Sequence, residues 1–322
     1  MGQRKLCKKK RRWINRIVTH ADLDGLASAV FLYFGLKFSN NKFILDDRFK
    51  IEFLNYRRLR TFEFEETDAV LDLPKPDRFQ LWFDHHSLNS KEILRTEKEW
   101  WDPSAPSTAD LVWQRFSKFM RRLSTFHFKL HKAVNIIDSA NFSRHQLLNP
   151  DFFGQLSRTL RTRNFRADRR YLSDLFTIMI YSGDPQFHIE TFSTFMNRKK
   201  YHSILDKRAE ELFNKHATDL FDGKLIILDL TEEKIRFNRY ITSLIRDDFL
   251  YEIQLFKDDG RVILRIGKNI FKKEQIPLDL GLIARKLGGG GHDGVGAIVA
   301  EYPLKNQMLQ KLIDEVRPCL VG

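Results

Sequence analysis

The feature that most constrains this chain is one short passage near its start. An apolar pair, Ile17-Val18, runs into Thr19-His20-Ala21-Asp22-Leu23-Asp24-Gly25, and Leu26 to Phe34 is then strongly apolar. That order predicts a buried strand, a tight turn and a helix. A turn at the C-terminal end of a parallel strand faces the crevice where open α/β sheets hold ligands. Here the turn carries one imidazole and two carboxylates within five residues. Buried carboxylates cost roughly several kcal/mol unless they are paired or bound to a metal. The stretch therefore points to a divalent cation. The plainer reading is a polar turn in which Asp24 caps the helix.

The pattern recurs along the chain. Asp72 ends the apolar run Ala69-Val70-Leu71, just before Leu73-Pro74. Asp84-His85-His86 ends Leu81-Trp82-Phe83, and Asp138 follows Val134 to Ile137. Four apolar runs thus deliver carboxylate or imidazole at their C-terminal ends, which chance seldom does four times in order. The series His-x-Asp-x-Asp-Gly, Asp, Asp-His-His, Asp is similar to the four motifs of the DHH phosphoesterase family. Near the C-terminus, Gly288-Gly289-Gly290-Gly291-His292 resembles the glycine-rich motif of the DHH-associated C-terminal domain. The resemblance covers about residues 17 to 302.

The resemblance implies an α/β fold. An N-terminal parallel-sheet domain carries the metals, a smaller mixed α/β domain follows, and the active site lies in the cleft between them. It implies two divalent cations. One is held by His20, Asp22 and Asp72, the other by Asp24, Asp72, His85 and Asp138, with Asp72 bridging. Asp84 then orients His85, and His86 points at the substrate phosphate. Mixed imidazole and carboxylate ligands suit Mn²⁺ better than Mg²⁺, with Mg²⁺ and Co²⁺ as alternatives. Two such cations acidify a water that attacks phosphorus in line, and His86 stabilises or protonates the departing side.

Residues 17 to 138 alternate apolar runs with amphipathic segments, as strand–helix units do. Ile51 to Tyr56 is another strand candidate. Trp101 to Thr108 reads as a loop, and helical spacing follows from Ala109, with Asp110 in the first turn. Ser107-Thr108 at that start reads as a plain N-cap, or as free N–H groups that hold a phosphate. The family's similar Ser-Thr-Ala-acidic stretch implies that Ser107 and Thr108 contact substrate. Residues 139 to 222 read as largely helical. Arg158, Arg161, Arg163, Arg166, Arg169 and Arg170 form a basic cluster, taken as a solvated face. His127, His131, His145, His188, His202 and His216 are scattered rather than set at ligand spacing, and read as structural or surface residues.

Asp206 to Phe221 is expected to be a linker helix. After it come a strand at Leu225–Leu228, a hairpin of Tyr251–Lys257 and Val262–Ile266 across Asp258-Asp259-Gly260, and a helix over Leu278–Leu287. A strand at Ala297–Ala300 and a helix over Met308–Val316 complete the domain. The expected divisions are a basic arm over 1–16, a catalytic domain over 17–205, a linker helix over 206–223 and a substrate-binding domain over 224–322. The glycine run reads either as a helix C-cap or as backbone that approaches a phosphate or base closely. In the second reading Gly289, Gly290, Gly291 and His292 bind substrate. Arg265 matches a family arginine facing the cleft, suited to a phosphate. Asp293-Gly294-Val295-Gly296 departs from the small and basic residues usual there.

The chain of 322 residues carries a net charge of +13. Part of it is the run Arg4, Lys5, Lys8, Lys9, Lys10, Arg11, Arg12 and Arg16, expected to be a solvated arm or a phosphate-seeking one. A mitochondrial presequence is a weaker reading of this Lys-rich run. No run approaches the roughly 18 apolar residues of a membrane span, and the basic start is not followed by a signal-peptide core. Cys7 and Cys319 suggest no disulfide framework, which makes the cytoplasm the expected compartment. The leading functional expectation is a metal-dependent phosphodiesterase acting on short RNA or DNA oligonucleotides or linear dinucleotides, with a homodimer allowed. The alternatives are a phosphomonoesterase or polyphosphatase acting on adenosine bisphosphate, polyphosphate or pyrophosphate, a cyclic-dinucleotide phosphodiesterase, and an inactive nucleic-acid-binding protein.

Overall fold

The structure, a computed structural model, describes residues 11–39, 42–86, 93–162, 164–233, 240–258 and 260–320, and of Tyr56, Ile241, Asp258 and His292 the backbone alone. Expectations that fall on Arg4 to Lys10, Arg163, the turn residue Asp259 and the His292 side chain lie outside the described residues. The chain forms two compact units: Met1–Ala140 with Phe152–Asn197, and Asn141–Asp151 with Arg198–Gly322.

The first unit is built on strands β1 (Arg12–His20), β2 (Phe43–Leu54), β3 (Asp68–Leu71), β4 (Leu81–Asp84), β5 (Leu94–Arg95) and β6 (Glu99–Trp101). They form one sheet in the order β2-β1-β3-β4-β6-β5, parallel except at the β5 edge. β3 and β4 are buried along their whole length, which is why Ala69–Leu71 and Leu81–Phe83 are continuous apolar runs rather than alternating ones. The helix Leu23–Phe38 is apolar on all sides and almost wholly buried, as an interior helix must be. Register positions the site. Thr19 pairs with Leu71, and Leu71 with Phe83, so His20, Asp72 and Asp84 come next in line at one edge of the sheet.

Several expectations change. β1 starts at Arg12, so Arg12 and Arg16 belong to the sheet rather than to an arm. Arg16 grips the fully buried Asp68 with two bonds, Nε to Oδ1 and Nη2 to Oδ2, both 2.8 Å. A buried carboxylate needs such a fork. The run before Asp138 is helical, and Asp138 is the last residue of the helix Thr125–Asp138. Trp101 ends β6 rather than opening a loop.

The second unit holds β7 (Ala217–Leu220), β8 (Leu225–Leu230), β9 (Tyr251–Asp258), β10 (Arg261–Lys268), β11 (Gly290–His292) and β12 (Val295–Glu301). Their order is β11-β12-β10-β9-β8-β7, antiparallel except for β8 beside β9. The helices Leu280–Lys286 and Lys305–Val316 give Leu280, Ile283, Leu312 and Val316 to a core with Leu225, Ile253, Leu264 and Ile298. The expected linker helix is instead the end of a longer one, Ser193–His216, after which Ala217–Leu220 turns extended and pairs with β8. Among the described residues no helix is long and apolar enough to cross a membrane.

Candidate active site

The turn after β1 is shaped by three residues. Asp22, not Asp24, caps the helix: its Oδ1 accepts the Gly25 N–H at 3.0 Å. Gly25 is required because a Cβ there would lie 2.2 Å from the His20 carbonyl oxygen. Asp24 turns inward, 2% exposed. Its two oxygens accept the backbone N–H groups of Thr108 and Ala109, each at 2.8 Å. These are the orphan donors of the helix Thr108–Arg115, and they favour an anion.

That geometry revises the roles expected of Ser107 and Thr108. The anion at this helix start is the protein's own carboxylate. Ser107 is the N-cap, its Oγ accepting the Asp110 N–H at 3.0 Å and donating to Asn135 Oδ1 at 2.6 Å. Thr108 Oγ1 donates to Asp72 Oδ1 at 3.2 Å. Both residues are fully buried. His131, read as structural, lies 2.7 Å from Asp110 Oδ1 and stacks on Trp113, and so supports the same helix from behind.

The other three motifs meet these residues. Asp72 adopts a left-handed backbone, φ +55°, and its carboxylate lies 3.6 Å from His20 Nδ1, 3.6 Å from His86 Nδ1 and 4.0 Å from His85 Nε2. His85 Nε2 is 3.0 Å from Asp138 and 3.7 Å from Asp24. His85 Nδ1 lies 3.1 Å from the Ala105 carbonyl, which only accepts, so Nδ1 carries the proton and Nε2 faces the acids. That carbonyl contact is the usual support of a metal-binding imidazole. Asp84 does not orient His85. Its Oδ1 is 2.6 Å from His86 Nδ1 and accepts the His86 N–H at 3.2 Å.

Three groups bring donor atoms close enough to hold a cation: His20–Asp22–Asp72, Asp24–His85–Asp138 and Asp72–His85–His86. They overlap through Asp72 and His85. The first two fall within the ligand sets that the family resemblance implies; the third adds His86, expected only at the substrate. Imidazole and carboxylate without thiolate suit a hard or borderline divalent ion. Burial and the neighbouring charges of Asp24, Asp22 and Asp138 push the Asp72 carboxyl well above the usual range. Burial and Asp138 push Asp24 up to about 7. Burial lowers His85, but its bond to Asp138 outweighs that and carries it up to about 10. Burial raises Asp22 too, yet His20, Arg161 and the Gly25 N–H hold it well below the ordinary value. Carboxylates crowded this way are stabilised by positive charge between them.

Arg161 is the residue that sequence reasoning missed. It sits in the cluster read as a solvated face, yet Nε donates to the Ala21 carbonyl at 3.1 Å and Nη2 to Asp22 Oδ2 at 3.1 Å. No spacing signal marks it, because the contact joins residues about 140 positions apart. Its neighbour Arg169 pairs elsewhere, with Glu52.

In the second unit, the glycine run first ends a helix. Gly288, φ +81°, gives its N–H to Arg285 O and Gly289 to Ala284 O, the paired bonds of a Schellman cap. Gly289 and Gly291 then pack onto β12, where a Cβ would lie 2.1 Å from Ala297 O and 2.2 Å from Val295 O. Within this run, a Cβ at Gly290 or Gly288 meets nothing within 4 Å among the described residues, and Gly288 is held by its φ. Arg265 donates to Gln254 on β9 and lies over the Phe256 ring at 5.5 Å. Gln254 in turn donates to the buried Glu252 at 2.8 Å.

No family model matches the sequence, and no curated protein matches it. Solved structures do. A pGpG-specific phosphodiesterase, PggH from Vibrio cholerae, superimposes with a TM-score of 0.69 at 22% identity, over 94% of this chain and 99% of that one. The DHH domain of a protein grouped with a family of ribosomal proteins gives 0.57 at 12% identity, over 96% and 87%. RecJ in complex with Mn²⁺ from Thermus thermophilus gives 0.57 at 12% identity, over 96% of this chain but 52% of its own. At these identities the likeness is one of fold. The chain has the two-domain α/β fold of the DHH phosphoesterase family.

Proposed function

We propose that this chain is a metal-dependent phosphodiesterase acting on short linear nucleotides, dinucleotides first. The observation that carries the reading is the set of overlapping donor groups, sharing Asp72 and His85, at the C-terminal edge of a parallel sheet. In this reading His20, Asp22 and Asp72 hold one cation, and Asp24, Asp72, His85 and Asp138 the other. Mn²⁺ suits that donor set best. When bound, the pair supplies charge against the phosphate oxygens and acidifies a water. The protein's own groups do the positioning. The Thr108 and Ala109 N–H groups fix Asp24, Ala105 fixes the His85 ring, and Asp84 fixes His86 beside Asp72, where it faces the departing side of the phosphate in this reading. In the second unit, Arg265 and the backbone at Gly290 are proposed as substrate-binding groups.

One point supports the choice of a dinucleotide: the PggH superposition runs over nearly the whole of both chains, and that protein is specific for pGpG. Binding energy from the far end of a short substrate positions its reacting phosphate, so its loss lowers kcat as well as raising KM. The test is a panel in Mn²⁺: a labelled linear dinucleotide, a longer oligomer, a cyclic dinucleotide, adenosine bisphosphate and pyrophosphate. The linear dinucleotide is expected to have the highest kcat/KM, by about tenfold or more over the longer strand. A panel led by pyrophosphate or the bisphosphate would overturn the reading.

A further inference from the structure

Arg161 follows the helix Phe152–Thr159. One side of its guanidinium is anchored: Nε on the Ala21 carbonyl, Nη2 on Asp22 Oδ2 and 3.3 Å from His20 Nε2. The Ala21 anchor is backbone, so it does not depend on the charge state of the acids. Among the described residues Nη1 has no partner, and the side chain is 52% exposed. A guanidinium carries its five N–H groups in a rigid fork. Fixing one edge therefore fixes the direction of the other. Nη1 presents two donors and a positive charge to solvent, next to the metal-capable group His20–Asp22–Asp72.

We propose that this free edge of Arg161 binds a non-bridging oxygen of the substrate phosphate. The inference rests on the phosphodiesterase reading and adds a specificity-determining contact to it. A lysine could not serve in the same way, because a point charge on a flexible stem cannot bond Ala21 and Asp22 while holding a second donor pair at a set angle. A solvated surface arginine, the reading that the cluster suggests, would not be bonded on both Nε and Nη2 to the turn that carries two of the motif acids.

The experiment uses the full chain, as wild type, Arg161→Gln and Arg161→Lys. Three quantities are measured: KM and kcat for a linear dinucleotide across a Mn²⁺ series, the Mn²⁺ midpoint itself, and the Kd of a fluorescent, hydrolysis-resistant phosphonate dinucleotide by anisotropy. For Arg161→Gln, KM and Kd are expected to rise about tenfold or more, with the Mn²⁺ midpoint nearly unchanged. Arg161→Lys keeps the charge and is expected to recover only part of the loss, and it decides the matter if the Gln variant does not fold. A raised Mn²⁺ midpoint with KM restored at saturating Mn²⁺ would mean that Arg161 only positions His20 and Asp22, and would overturn the phosphate contact. Unchanged KM and Kd would overturn it as well. A wild type inert on every phosphodiester would sink the phosphodiesterase reading instead, while the Kd comparison would still report on Arg161.

Discussion

Asp72 shows what a single residue is asked to do here. It stands where two sets of donor atoms meet, it is buried, and its backbone is left-handed at φ +55°. Asn is among the few side chains at home in that conformation. Asp72→Asn should therefore fold, and its melting temperature in chelator should equal or exceed that of wild type, because burial and the acids Asp24 and Asp22 disfavour the charge it removes. Its kcat should fall by at least about 10³-fold. Activity close to wild type would place the shared ligand elsewhere. Gly25 is a second test at this scale. Gly25→Ala drives a methyl against the His20 carbonyl and should cost about 1–3 kcal/mol in a denaturant titration; an unchanged midpoint would contradict the crowding. The motif residues were legible in the sequence because each ends an apolar run. What holds them was not: Thr108 reaches Asp24 across 84 positions, and only folding brings such groups together.

At the scale of elements, strands buried on both faces wrote themselves into the chain as apolar runs, and β3 and β4 lie where those runs are. Val134–Ile137 shows the limit of that signal. Val134, Ile136 and Ile137 fit a strand or a buried helix turn equally well, and here they end a helix. β7 was hidden for a related reason, since Ala217–Leu220 turns extended through pairing with β8 rather than through its own composition. The glycine run was legible as a special backbone but not as three different ones. Gly291→Ala should lower the melting temperature, because it combines φ +152° with a clash on Val295 O. Gly290→Ala should leave the melting temperature unchanged and weaken dinucleotide binding, since among the described residues nothing lies within 4 Å of the added methyl and a ligand is what it would obstruct. Unaltered binding in a folded Gly290→Ala protein would remove this loop from the substrate site.

At the scale of the whole molecule, the net charge of +13 concerns partners more than fold. Arg12 and Arg16 are committed to the first sheet, so the test of the basic segment is removal of residues 1–10 alone. The salt dependence of binding to long strands should flatten as phosphate contacts are lost, while dinucleotide turnover should hold. A collapse of that turnover in the folded truncation would place the segment in the site. The assignment of Asn141–Asp151 to the second unit could not be read from composition, since it depends on which neighbours the segment meets after folding. The central claim is that the chain hydrolyses a phosphodiester with cations held by His20, Asp22, Asp24, Asp72, His85 and Asp138. The most direct measurement is turnover of a labelled linear dinucleotide by purified protein, titrated with Mn²⁺ and then with excess chelator. The account predicts activity that rises with Mn²⁺ to saturation and disappears in chelator; full turnover in excess chelator would contradict it.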